Sequence, residues 1–341
     1  MLDVQGGINS LSPHTPRELP LLLNNFFYNV KPLVPRKAQI FLRRYMSKQK
    51  RKRFQHIWPI DPAAGRPPEN WTGWPENKRF ALVLSHDVDT QRGHDAVPLL
   101  MDLEQELGFK SAYNIVPERY RVSREMIETI KARGFELNIH GLKHDGKLFK
   151  SRAIFKQRAI RINEYLEQWG GTGFTAPSMI CNLDWIHDLN IDHSTCTFDT
   201  DPFEPQPSPS RTIFPFIVHS ETLDSSYVEL PYTLPQDHAL FIILQETDIY
   251  IWKQKLKWIA DHGGMALINT HPDYMQFDDK KPGNECYPKA FYIDFLRHVA
   301  SEYGGQFWNA LPGEVANFWR SRGEAEKEAT QMVGDTYPTE N

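Results

Sequence analysis

The sequence predicts an α/β protein built as a parallel β/α barrel of seven or eight strands with a basic N-terminal helical extension. Short apolar runs rich in β-branched and aromatic residues alternate with longer helical patterns. The alternation is sustained from residue 79 to 320, which suits a barrel better than a small open sheet. Several runs end in polar residues able to do chemistry, and in parallel α/β folds the carboxyl ends of the strands share one face.

Residues 1–60 read as the basic extension. Between positions 19 and 60 stand ten Lys and Arg and no Asp or Glu, leaving 29 basic against 43 acidic residues elsewhere. Phe26, Phe27, Tyr28, Ile40, Phe41, Leu42, Tyr45 and Met46 are interleaved with these bases. Such a block fits peripheral contact with an anionic membrane, a solvated helix packed on the acidic main domain, or, with less support, nucleic acid. The apolar stretch 19–30 contains Asn24, Asn25 and Asn29 and is too short and polar to cross a bilayer. No charged segment followed by an apolar one opens the chain, so a cytoplasmic location, peripheral at the membrane face, is expected. Residues 61–78, where Trp71 and Trp74 alternate with prolines, form an irregular lead-in.

The expected strands are FALVLS (80–85), SAYNIV (111–116), FELNI (135–139), TGFTA (172–176), MALINT (265–270) and QFWNAL (306–311). Between them, Val97, Leu100, Met101 and Leu107 share a helical face, Ser123 caps a helix ending before Gly134, and residues 155–169 are periodic. Residues 321–341 are polar, aperiodic and expected to be disordered. A 40% hydrophobic, 12% aromatic composition with a formal charge of −4 excludes disorder of the whole chain. Mean hydropathy of −0.53 without an apolar run near ~18 residues excludes a polytopic membrane protein. Three scattered cysteines with no C-x-x-C pair exclude a disulfide framework and a cysteine zinc site.

Four strand ends carry candidate chemistry: His86-Asp87-Val88-Asp89, His140-Gly141-Leu142-Lys143-His144, Thr175-Ala176-Pro177 and His271-Pro272-Asp273. Each is weak alone, because Asp-x-Asp caps turns and two histidines four apart occur by chance. Their conjunction at one barrel face is not. Two imidazoles and a carboxylate, His140, His144 and Asp89, make the three-ligand open site of a catalytic zinc. Asp87 is placed to take a proton from a water, and His271, on another strand, to protonate a leaving group.

These residues resemble the polysaccharide deacetylases of carbohydrate esterase family four over residues 79–320. The resemblance implies a distorted β/α barrel and metal-dependent removal of N-acetyl or O-acetyl groups from a sugar or glycan intermediate. The family's T-F-D-D-G motif is similar to Ser85-His86-Asp87-Val88-Asp89 in its D-x-D variant, implying Asp87 as base and Asp89 as ligand. H-S/T-x-x-H is met by the His140 to His144 run with Gly141 in the Ser/Thr place, and the final Leu-and-His motif by Leu267 and His271. The family's R-x-P-Y motif is replaced by Thr175-Ala176-Pro177-Ser178, which removes the guanidinium that orients the base. Asp199 or Asp201 is the candidate to set the protonation of His271, a loop cap being the other reading. Thr175, Pro177, Asp199, Asp201, Asp273 and Tyr274 are expected to line the sugar site. The metal is expected to be zinc, with cobalt, nickel or iron also suited to two histidines and one aspartate. The substrate is an acetylated sugar or lipid-linked glycan. A deacetylase-like protein that binds without turnover, and a D-x-D metal-dependent glycosyltransferase, are the other readings.

Overall fold

The computed structural model describes residues 36–204, 209–220, 222–278 and 283–322. The expected disordered tail beyond 322 and the first 35 residues of the basic extension lie outside the described residues. The chain divides into two compact units, Met1–Met46 and Ser47–Asn341. The described part of the first is the leading portion of helix α1 (Arg36–Phe54), which continues into the second.

The second unit is the β/α barrel. Nine strands form its sheet among the described residues: β1 (Phe80–Val88), β2 (Ala112–Ile115), β3 (Glu136–His140), β4 (Gly173–Thr175), β5 (His193–Ser194), β6 (Phe216–His219), β7 (Ser226–Glu229), β8 (Met265–Thr270) and β11 (Phe307–Asn309). All are parallel to their neighbours except β6, which runs antiparallel to β7. A separate short ladder joins β9 (Met275–Gln276) to β10 (Tyr287–Pro288). The strands expected from the apolar runs are all present. The three between residues 193 and 229 were not expected, because they are only two to four residues long in a proline-rich stretch.

β1 is the central strand: all nine of its residues are buried, as a near-continuous apolar run covered on both faces requires. It pairs with β11 and then β2 along one edge and with β8 along the other. The barrel does not close regularly between β7 and β8. Instead the backbone N–H groups of Thr233 and Leu234 both donate to the Leu267 carbonyl, and Thr233 Oγ1 donates to the Met265 carbonyl. A non-strand segment thus fills the gap, which is the distortion of the barrel.

Helices pack outside: α2 (Gln91–Glu106), α3 (Arg124–Ala132), α4 (Arg152–Trp169), the short α5 (Leu183–Ile186), α6 (Tyr250–Asp261) and α7 (Ala290–Tyr303). Ser123 Oγ accepts from Met126 N–H at the start of α3, as its sequence position suggested. Ser151 Oγ caps α4 through Ile154 N–H, which starts that helix before the apolar period begins, and Gly170 ends it at φ +63°. Trp71 and Trp74 of the lead-in pack edge-on to each other and against Trp319. No described helix is long and apolar enough to cross a membrane.

Candidate metal centre and active site

β1 carries Asp87 on the inner barrel face and passes Asp89 to the loop above it. β3 ends on His140, and the turn that follows returns His144 to the same point. That turn needs two positive-φ residues, Gly141 at +61° and His144 at +49°. A Cβ on Gly141 would lie 2.5 Å from Pro177 Cγ, so the loop can lie against Pro177 only without a side chain there. Arg119 Nη1 holds the loop by donating to the His144 carbonyl at 2.8 Å.

Asp89, His140 and His144 each offer a donor atom, and the three atoms lie within 4.8 Å of one another. Asp89 Oδ1 is 3.4 Å from His140 Nε2 and 3.0 Å from His144 Nε2. This oxygen is buried and accepts no aligned hydrogen bond. Two imidazole nitrogens and a carboxylate oxygen converging without hydrogen-bond alignment fit a divalent cation, and the donor set suits zinc, cobalt, nickel or iron. Burial acts to raise the Asp89 carboxyl, but the His140 and His144 imidazoles beside it prevail and hold it well below the usual carboxylate range. Burial likewise acts to lower His140, and the charges of Asp87 and Asp89 outweigh it and raise it.

Asp273, expected in the sugar site, supports the ligand loop. Its Oδ2 accepts the Asp89 backbone N–H at 2.9 Å, and its Oδ1 accepts the Thr90 hydroxyl. Gly93 in the first turn of α2 makes room for it, since a Cβ there would fall 2.1 Å from Asp273 Oδ2. Burial and the neighbouring Asp89 raise the Asp273 carboxyl.

Asp87 Oδ2 stands 3.7 Å from His140 Nε2 and 3.9 Å from His271 Nε2. Its oxygens accept hydrogen bonds from two asparagine side chains, Asn114 on β2 at 2.7 Å and Asn269 on β8 at 2.8 Å. His271 follows β8. Its Nδ1 is 2.7 Å from Asp237 Oδ1, its backbone N–H donates to Asp237 Oδ2 at 2.8 Å, and Tyr287 O–H donates to the same oxygen at 2.9 Å. Burial acts to lower the imidazole, but the Asp237 charge and hydrogen bond, with Asp89 and Asp87 nearby, raise it to about 10. The ring is an imidazolium at neutral pH with its Nε2 edge toward Asp87.

The expectation that Asp199 or Asp201 sets the protonation of His271 is corrected: Asp237 does. Asp199 forms a buried ion pair with Lys255 of α6, whose Nζ also donates to the Pro59 carbonyl. Asp201 Oδ1 accepts the Phe203 N–H, the loop-cap role that was the other reading. Both line a separate cavity with Thr200, Tyr232 and Gln236. Thr175 is buried, its hydroxyl 2.8 Å from that of Thr195. Pro177 lines a cavity beside His144 together with Leu142, Leu148, Phe149 and Arg158. The Tyr274 ring stands 5.2 Å from that of His271. His86 points to the opposite face of β1, with Thr270 Oγ1 at 2.7 Å and Glu104 Oε1 at 2.8 Å, so it is core rather than ligand.

Neither a protein-family model nor a curated protein matches the sequence. Among solved structures, a protein assigned as a polysaccharide deacetylase from Mycobacterium smegmatis is similar at 18% identity and a TM-score of 0.57, covering 75% of this chain and 96% of its own. One so assigned from Pseudomonas aeruginosa PAO1 is similar at 14% identity and a TM-score of 0.56, covering 77% and 98%. The Puue allantoinase is similar at 13% identity and a TM-score of 0.55, covering 77% and 98%. The distorted barrel of this chain is therefore the fold shared by these two proteins assigned as polysaccharide deacetylases and by the allantoinase.

Proposed function

We propose that this protein is a metal-dependent hydrolase that removes an acetyl group from the nitrogen of an acetamido sugar or glycan intermediate. The observation that carries the reading is the Asp89, His140 and His144 cluster flanked by an accepting carboxylate, Asp87, and a donating imidazolium, His271. Asp89, His140 and His144 would hold the divalent metal, with zinc as the first choice. Bound there, the metal supplies Lewis acidity toward the acetyl carbonyl and the attacking water.

The chain's own residues then divide the proton work. Asp87 accepts a proton from the water as its oxygen bonds to the acetyl carbon. His271 gives the Nε2 proton to the sugar nitrogen as the C–N bond breaks, so acetate and a free amino sugar leave. Asp237 keeps His271 charged for that transfer.

The glycan is proposed to be lipid-linked and met at an anionic membrane face. Phe41, Leu42, Tyr45 and Met46 of α1 are exposed in a sequence that has ten bases and no acid between positions 19 and 60. Sedimentation with anionic but not neutral vesicles supports this, and equal sedimentation with both removes it.

The test of the chemistry is elemental analysis beside acetate release. The parent should hold near-stoichiometric metal, a His140→Ala, His144→Ala variant none. Asp87→Asn should keep the metal and lose ~10²–10⁴-fold in turnover, the usual worth of a general base. Metal in the parent without acetate release from any acetylated sugar would favour the deacetylase-like binding protein.

A further inference from the structure

We infer that Asn114 and Asn269 are positioning residues for Asp87: two neutral amides, one to each carboxylate oxygen, in place of the single guanidinium that the Thr175 position lacks. The inference rests on the general-base reading of Asp87 given above.

Strand register brings the three side chains to one face. Asn114 on β2 stands directly across from Asp87, and Asn269 on β8 across from Ser85, two residues earlier on the same face of β1. Asn114 Nδ2 donates to Asp87 Oδ1 at 2.7 Å and to Ser85 Oγ at 2.8 Å, while Asn269 Nδ2 donates to Asp87 Oδ2 at 2.8 Å. Both asparagines are fully buried.

The Oδ1 atoms of both amides are buried and accept no hydrogen bond. An unpaired buried carbonyl is destabilising, whereas a leucine of similar shape would fill the same space without that cost. Turning either amide over would set its oxygen against the carboxylate. The asparagines therefore bear a local penalty, and the interaction they share in return is the orientation of Asp87. Without them the nearest alternative partner of Asp87 Oδ2 is His140 Nε2 at 3.7 Å, a proposed metal ligand. The amides thus keep the carboxylate from turning onto the ligand set and leave it available to a water.

Asn114→Leu and Asn269→Leu, singly and together, remove the donors while keeping volume. Asn114→Ala and Asn269→Ala serve if the leucine variants do not fold. Crystal structures of the variants should show the Asp87 carboxylate rotated, with metal content unchanged. Turnover should fall ~10–100-fold at unchanged KM, as a displacement near 1 Å costs. In an Asp87→Asn background the same substitutions should cost nothing further. An unmoved carboxylate in the double variant, or an undiminished second loss in the Asp87→Asn background, overturns the inference. The crystallographic readout needs no substrate: a parent without acetate release would sink the hydrolase reading, while carboxylate movement would still decide whether the amides hold Asp87.

Discussion

The Asp237 carboxylate holds His271 at two points, 2.7 Å from the ring Nδ1 and 2.8 Å from the backbone nitrogen. One oxygen thereby fixes the orientation of the ring and the other fixes the residue that carries it, which leaves Nε2 as the free edge. Because the His271 pKa is raised to about 10, the acid form persists across neutral pH and is depleted only as pH approaches that value.

Asp237→Asn removes the charge and keeps the shape. The basic limb of the kcat/KM profile, near pH 10 in the parent, should move down ~1–3 units, the effect of losing an opposite charge at close range. The stability linkage has the same sign. A histidine whose folded pKa lies above the unfolded value of ~6.5 stabilises fully below that value and loses its contribution as pH rises through about 10. The parent's Tm advantage over Asp237→Asn should thus shrink between pH 6 and 10. A basic limb that stays in place would remove Asp237 from the acid's control.

Gly141→Ser would give the ligand loop the hydroxyl residue of the H-S/T-x-x-H motif that it resembles, yet it should be damaging here. Position 141 has φ +61°, and a Cβ would fall 2.5 Å from Pro177 Cγ. The loop must shift to admit it, carrying His144 away from Asp89. Metal affinity should fall at least ~10-fold, the scale seen when groups that orient ligands are disturbed. Relief by Pro177→Ala in the same chain would assign the loss to this contact, and unaltered affinity in Gly141→Ser alone would contradict the geometry.

The parts of the barrel that a sequence can disclose are those where local pattern and tertiary position coincide. Asp87, Asp89, His140 and His271 follow apolar strand runs directly, so the strand period already aims them at one face. Asp237 has no such frame. It lies in an irregular segment before the buried HALFIIL run and reaches His271 only through closure of the barrel. Asn114 and Asn269 carried a usable signal, a polar residue inside each of the apolar runs SAYNIV and MALINT, where a buried polar group calls for a partner. Asp199 and Asp201 misled because acidity near prolines says nothing about which cation faces them. The partner, Lys255, lies 56 positions on, inside an amphipathic helix.

That ion pair makes its own prediction. Lys255 is fully buried against Asp199, and Asp199 is raised to about 6 by burial despite the lysine's charge. Lys255→Met leaves a buried carboxylate without its cation and should cost ~3–5 kcal/mol in denaturant unfolding. The double variant Lys255→Met, Asp199→Asn should recover much of that loss. Neither should displace the basic limb set by His271, since Asp199 is engaged with Lys255 and not with that imidazole. A displaced limb would return Asp199 to the active site.

Thr175→Arg asks whether a guanidinium, as in the R-x-P-Y motif that this segment resembles, can be accommodated. Thr175 is 1% exposed, its hydroxyl lies 2.8 Å from Thr195 Oγ1, and Tyr232 O–H donates to that same Thr195 oxygen at 3.4 Å. The strand register sets Thr175 beside His140, a proposed ligand. An arginine there must force this hydroxyl layer apart and bury a cation. Overpacking alone costs ~1–3 kcal/mol, before the charge is counted. Since both Asp87 oxygens already accept amide hydrogen bonds, the guanidinium also finds its role filled. The variant should have a lower Tm, bind less metal and release no more acetate than the parent. A gain in acetate release would show instead that the amides are an incomplete substitute for a guanidinium, and would favour the binding-protein reading of the parent.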